Sequence, residues 1–177
     1  AQAATSGTVS TEASRPGNSI ITGTYYVGRG FCTFNIAAIP ADATIIIGSN
    51  TFIRAVGANN GVQNADTDLI TLVASTPASS TTLEANDFDN VGTTQFITAV
   101  SIGSWNDTGN NDFQLNTDGV AAIQAVLGGY VKFAWRTTKD ISATQPMGFN
   151  WADMVDDTNF LSVEYTVPSG GFIHISS

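Results

Sequence analysis

The sequence predicts an all-β chain: a jelly-roll-like antiparallel β-sandwich with one short helix. Three observations carry this expectation. Apolar residues alternate with a period of two, not 3.6, along most of the chain. The β-branched residues Thr, Ile and Val fill 51 of 177 positions, which favours pleated backbone. Turn signals rich in Gly, Asn and Pro divide the β-rich runs at fairly regular spacing. They are Arg15-Pro16-Gly17-Asn18, Pro40-Ala41-Asp42, Gly57 to Gly61, Asp107-Thr108-Gly109-Asn110 and Pro168-Ser169-Gly170-Gly171.

Taken in order, Gly7 to Thr11 and Ser19 to Tyr26 are the first short candidate strands. Phe31 to Ile36 follows, with Cys32, Phe34 and Ile36 on one face. Ala43 to Val56 is a longer β-rich stretch, with Gly48-Ser49-Asn50 marking a bulge or bend. Leu69 to Ala74, Gln95 to Ile102 and Asp112 to Leu115 are further candidates. Asn116 to Leu127 breaks the period. Val120, Ile123 and Leu127 recur at helical spacing, Asn116 or Thr117 caps the start, and Gly128-Gly129 ends the run. This is the one short amphipathic helix, expected across an end of the sandwich. In Tyr130 to Arg136, Val131, Phe133 and Trp135 share a face, and in Asn159 to Val167 the residues Leu161, Val163, Tyr165 and Val167 do. Phe172 to Ser176 is a last candidate strand, reached through a Pro-Ser-Gly-Gly joint. It either closes the domain's own sheet or adds to a neighbour's edge. The division expected is a 1–6 extension, a 7–167 sandwich, and a 168–177 joint and terminal strand. The start at Ala1 is expected to reflect removal of a preceding segment or a longer product.

Composition narrows the function classes. With 42% hydrophobic residues the chain can bury a core. No apolar run reaches the ~18–20 residues of a membrane span, so no membrane insertion is expected. Six basic against 15 acidic residues give a net charge of −9, which argues against nucleic acid as a partner. Low Lys and abundant Thr, Ser, Asn and Gly suit a virion surface, a cell surface or the extracellular space.

Few residues can carry chemistry. Cys32 and His174 are the sole Cys and His, too few for zinc and 142 positions apart. Cys32 reads as a buried small apolar residue. Paired carboxylates for a glycoside hydrolase would come from the acidic turns at Asp66/Asp68, Asp87/Asp89 and Asp153/Asp156/Asp157. Such turns more often cap local backbone. No cofactor is expected, although a structural calcium could sit at Asp66/Asp68 or Asp153/Asp156/Asp157. For carbohydrate the candidate residues are Trp105, Asn106 and Asp107 together with Tyr25 and Tyr26. Sugar faces stack on aromatic rings, and Asn and Asp take the hydroxyls. Phe172, Ile173, His174 and Ile175 are the candidate assembly strand.

Five stretches resemble one family. The run from Tyr26 to Ile45, with Arg29-Gly30-Phe31-Cys32-Thr33-Phe34-Asn35 leading to an Ala37-Ala38-Ile39-Pro40 corner, resembles the opening of DNRLRE-type β-sandwich domains. Leu83 to Gly92, Phe113 to Ile123, Tyr130 to Arg136 with Asp140-Ile141, and Asn159 to Thr166 continue the likeness across most of Gly7 to Val167. Asn35 stands where the family often has Asp. The resemblance implies a scaffold found in phage tail, virion surface and secreted bacterial proteins, without a catalytic motif. The function expected is therefore a non-enzymatic structural surface protein (a decoration, tail or filament subunit) with an attachment role. Its partners would be itself, other surface proteins or cell-surface glycans. The alternatives are a carbohydrate-binding module and, behind it, a two-carboxylate hydrolase.

Overall fold

The computed structural model describes residues 15–21, 23–62, 67–155 and 158–168, and the backbone of 175–176. In chain order the strands are β1 (Gly17–Ile21), β2 (Thr24–Gly28), β3 (Gly30–Asn35), β4 (Thr44–Ile45), β5 (Phe52–Val62), β6 (Leu69–Ala74), β7 (Val100–Ser101) and β8 (Asn110–Gln114). Helix α1 (Thr117–Gln124), β9 (Tyr130–Thr137), α2 (Thr138–Ser142), β10 (Asn150–Met154), β11 (Phe160–Val163), β12 (Tyr165–Thr166) and β13 (Ile175–Ser176) complete them. All strand pairs are antiparallel. One sheet runs β13-β11-β5-β10-β1-β2, with β8 also on β5, and a second runs β3-β9-β6-β7. From β2 to β10 the chain crosses repeatedly between the sheets, which gives the jelly-roll-like sandwich its character.

Alternation places the core between the sheets. Val131, Phe133 and Trp135 of β9 and Ile70 and Leu72 of β6 face Ile53 and Ala55 of β5 across it, all at 3% exposure or less. The clean face expected in the closing strands is there too: Leu161, Val163 and Tyr165 are buried and Val167 packs against them. Helix α1 begins where the capping rule puts it, with the Asn116 side chain accepting from Gly119 N at 3.0 Å. Gly128 at φ 79° ends the turn that follows. The Gln124 side chain then anchors the helix to β4, accepting from Ile45 N and donating to Ala43 O.

Several expected elements take another form. Ser19 to Tyr26 is not one strand. It spans the β1–β2 hairpin, whose turn needs the left-handed φ of 82° that Gly23 supplies. Gly57 to Gly61 is not a turn but the second half of β5. There glycine makes room, because a Cβ on Gly57 would lie 2.7 Å from Trp105 Nε1 and one on Gly61 would lie 2.6 Å from Trp151 Nε1. Gln95 to Ile102 shrinks to β7 and a 3₁₀ turn. A second short helix, α2, follows β9 directly, with Thr137 as its cap. Gly7 to Thr11 lies outside the described residues.

The outer face of the second sheet is also covered. Thr71, Val73, Ala134 and Arg136 are buried there under the segment 75–92. That segment is tied down by Thr76 N to Asn90 O, Gly92 N to Ala74 O and Lys132 Nζ to Pro77 O, each at 2.8 Å. An ion cluster secures the same layer. Asp140 accepts from Arg29 at 2.8 and 2.9 Å and from Arg136 at 2.6 Å, and all three side chains are 8% exposed or less. Arg29 also donates to Phe88 O, and Arg136 to Gly92 O. Burial alone would raise the Asp140 carboxyl, but the hydrogen bonds from Arg29 and then Arg136 hold it below its ordinary value.

The terminal strand belongs to the chain's own sheet. Ile175 pairs with Val163 and Ser176 with Ser162, and β13 stands at the end of the strand order, as an outer edge of that sheet. Phe172, Ile173 and His174 lie outside the described residues. If this strand serves only the chain's own sheet, removing residues 170–177 leaves the assembly mass measured by light scattering unchanged. A fall in mass would mean that this edge strand also joins copies of the chain.

Candidate functional site

Trp105 does not form a sugar platform. It is 5% exposed, stacked on Phe113 with ring centroids 5.8 Å apart, and set edge-on to Trp135 at 6.4 Å. The ring fills the space between the sheets, so neither of its faces is open to a ligand. The neighbouring polar residues organise their own turn. Asn106 N donates to Asn111 Oδ1 at 2.8 Å, and Asn111 Nδ2 returns a bond to Asn106 O at 2.9 Å. Asp107 sits half-buried in the same turn.

Tyr25 and Tyr26 part ways, as consecutive strand residues must. The Tyr25 hydroxyl donates to Thr144 O at 3.1 Å. Tyr26 is half exposed and looks outward. The inward face of this region is fixed by Asn18, whose amide reaches Asp68 and Thr137 of the opposite layer. The register pairs Gly17 with Trp151 and with Gly28, and Ser19 with Tyr26. All of these therefore lie on the outer face.

Here the outer face is concave. A groove of about 200 Å³ is lined by Arg15, Gly17, Ser19, Tyr26, Phe149 and Trp151, with Gly28 and the backbone of β1 and β10 completing it. Glycines form much of its floor. A Cβ on Gly17 would come within 2.7 Å of Trp151 Cβ. Phe149 meets Trp151 at 5.8 Å and 63°. The Arg15 guanidinium lies 4.6 Å above the Trp151 ring and pairs with both oxygens of Asp153, one of them at 2.8 Å. The charge of Arg15 is thus matched within the wall. The groove presents aromatic edges, peptide groups and two hydroxyl-bearing side chains, Ser19 and Tyr26.

None of Trp105, Asn106 and Asp107 lines this groove, and of the expected carbohydrate residues it takes Tyr26 alone. Arg15, Phe149 and Trp151 were missed. The signal was available in Phe149-Asn150-Trp151-Ala152-Asp153, which alternates with a period of two and aims three side chains at one face.

Among the described residues of the acidic turns, Asp68, Asp87 and Asp153 are engaged by the fold. Asp68 accepts from Asn18 Nδ2, Leu69 N, Thr138 Oγ1 and Lys139 N. Asp153 is taken by Arg15. Asp87 accepts from Ala78 N, Glu84 N and Asn90 Nδ2. The backbone N–H groups of Glu84 and Ala78 lower its carboxyl. Asp66, Asp156 and Asp157 lie outside the described residues. Among the described residues no three His, Cys, Asp or Glu side chains gather to hold a metal ion. Cys32 is buried, and desolvation pushes its thiol up to about 12, so it stays protonated and unreactive at neutral pH. The cations are likewise engaged. Arg15, Arg29, Arg54, Lys132 and Arg136 each bind a carboxylate or carbonyl of the chain.

Comparison with family models, with curated proteins and with solved structures gives no match for this chain. The DNRLRE likeness therefore rests on the residues quoted for it. Three charged residues of those stretches, Arg29, Arg136 and Asp140, meet in the buried ion cluster.

Proposed function

We propose that this chain is a non-enzymatic surface domain of a virion or an extracellular assembly, with an attachment role. In this reading the Tyr26–Phe149–Trp151 groove receives the face of a neutral saccharide. The observation that carries it is a concave, charge-matched aromatic surface on an otherwise acidic molecule. A neutral polyhydroxyl ring offers apolar C–H groups to Tyr26 and hydroxyls to peptide groups and Ser19. It avoids the repulsion that an anionic glycan would meet from a net charge of −9. Engagement of Asp68, Asp87, Asp140 and Asp153 by protein donors supports a non-catalytic role over paired-carboxylate hydrolysis. The DNRLRE resemblance supports a scaffold on which attachment is carried by a grafted site.

The test is a screen against immobilised neutral oligosaccharides, followed by titration calorimetry with the best of them. Tyr26→Ala is expected to weaken binding about tenfold, the value of one stacking contact. It should change unfolding stability by no more than about 0.5 kcal/mol, because the ring is half exposed. Binding that is unaffected by the substitution would move the ligand elsewhere. No binding to any saccharide would leave the purely structural role.

A further inference from the structure

Directly behind the groove floor, Asn18 of β1 and Asn150 of β10 stand opposite each other in register. They project towards the interior and are 2% and 1% exposed. Asn18 Nδ2 is well used, donating to Asp68 Oδ2 at 2.6 Å and to Thr137 Oγ1. The other amide atoms are not. Asn18 Oδ1, Asn150 Oδ1 and Asn150 Nδ2 are buried and have no protein partner. Buried polar groups are almost always hydrogen-bonded, so three such atoms at adjoining positions define a binding site.

Their chemistry selects the ligand. Two are acceptors and one is a donor. A direct amide–amide bond from Asn150 Nδ2 to Asn18 Oδ1 would serve two of them and leave Asn150 Oδ1 orphaned. A cation is disfavoured because Asn150 Nδ2 offers it only N–H groups, and because the one nearby charge, Asp68, already accepts from four donors. A water molecule matches all three atoms, with two O–H donors for the two oxygens and a lone pair for the amide N–H.

We propose that a single buried water binds between Asn18 and Asn150, donating to both Oδ1 atoms and accepting from Asn150 Nδ2. It extends the chain of hydrogen bonds that runs from β10 through β1 to Asp68, Thr137 and the start of α2, and so fastens the strands of the groove to the opposite sheet. The inference does not depend on what the groove binds.

The test uses the full chain. Magnetic relaxation dispersion of water nuclei counts long-lived internal waters in solution, and a crystal structure at atomic resolution locates them. The wild type is expected to show a water oxygen about 2.7–3.2 Å from Asn18 Oδ1 and from the Asn150 amide. Asn150→Val is expected to lower the long-lived count by one. A direct bond between the two amides with no density between them would overturn the proposal. So would a metal ion at the site, recognised by oxygen contacts of about 2.3–2.6 Å. If Asn150→Val does not fold, the wild-type crystal structure alone decides between these outcomes.

Discussion

Replacing Asp140 with alanine is expected to cost about 3–5 kcal/mol of folding stability, measured by urea denaturation. The reason is what it leaves behind. Arg29 and Arg136 are 8% and 6% exposed at their side chains, and both direct a guanidinium at the Asp140 carboxylate. Without it, two cations remain buried, held by the carbonyls of Phe88 and Gly92 and by a longer contact from Arg29 to Asp89 at 3.5 Å. The same cluster gives a pH dependence. The folded-state carboxyl lies below its unfolded value of about 3.9, so the unfolded chain binds the proton more readily. Its contribution is complete above that value and is lost as the pH falls through the folded-state value. Acid titration of the wild type should therefore show a loss of stability below about pH 4 that Asp140→Ala lacks in part. A variant as stable as the wild type would mean that the two arginines find other partners.

Trp105→Ala is expected to destabilise the fold by about 3–5 kcal/mol, the cost of a large aromatic deleted from a core. The indole lies between Phe113 and Trp135, and neither element around it is free to collapse into the space. β5 passes it at Gly57 and β9 carries Trp135. If Trp105 were a surface platform, the same substitution would leave stability within about 1 kcal/mol. Thermal and chemical denaturation separate these outcomes cleanly. Loss of saccharide binding in this variant alone would say nothing about a site, since a fold this destabilised would loosen the groove as well.

What the sequence made legible was local. Leu69 to Ala74 emerges with the same bounds as expected, and Tyr130 to Arg136 differs by one residue. Both are short β-rich runs, and each is buried on two faces, one towards the core between the sheets and one under the segment 75–92. The helix start at Asn116 was legible because capping is a side-chain-to-backbone bond over three residues. The illegible features are those in which glycine or tryptophan acts at a distance. Gly57 and Gly61 look like a turn because glycine usually signals one. Here they clear space for Trp105 and Trp151, which lie 48 and 90 positions further on. Trp105 looked exposed because it ends a strand and opens a polar turn. Its burial depends on Phe113 and Trp135, whose positions only the packed sheets define. The groove escaped for a similar reason. Arg15, Tyr26 and Trp151 become neighbours only through the pairing of β1 with both β2 and β10.

The long strand β5 has an implication for how the molecule is made. Its first half pairs with β8 and β11 and its second half with β10, and every one of these partners lies later in the chain. A ribosome delivers β5, with its Phe52-Ile53-Arg54-Ala55-Val56 run, well before it delivers anything able to cover its edges. The nascent polypeptide must hold a bare, β-prone segment in waiting until synthesis has passed Val163. Closure of the central sheet is therefore a late and non-local event, which slows folding and lengthens the interval in which two unfinished copies could pair with each other instead.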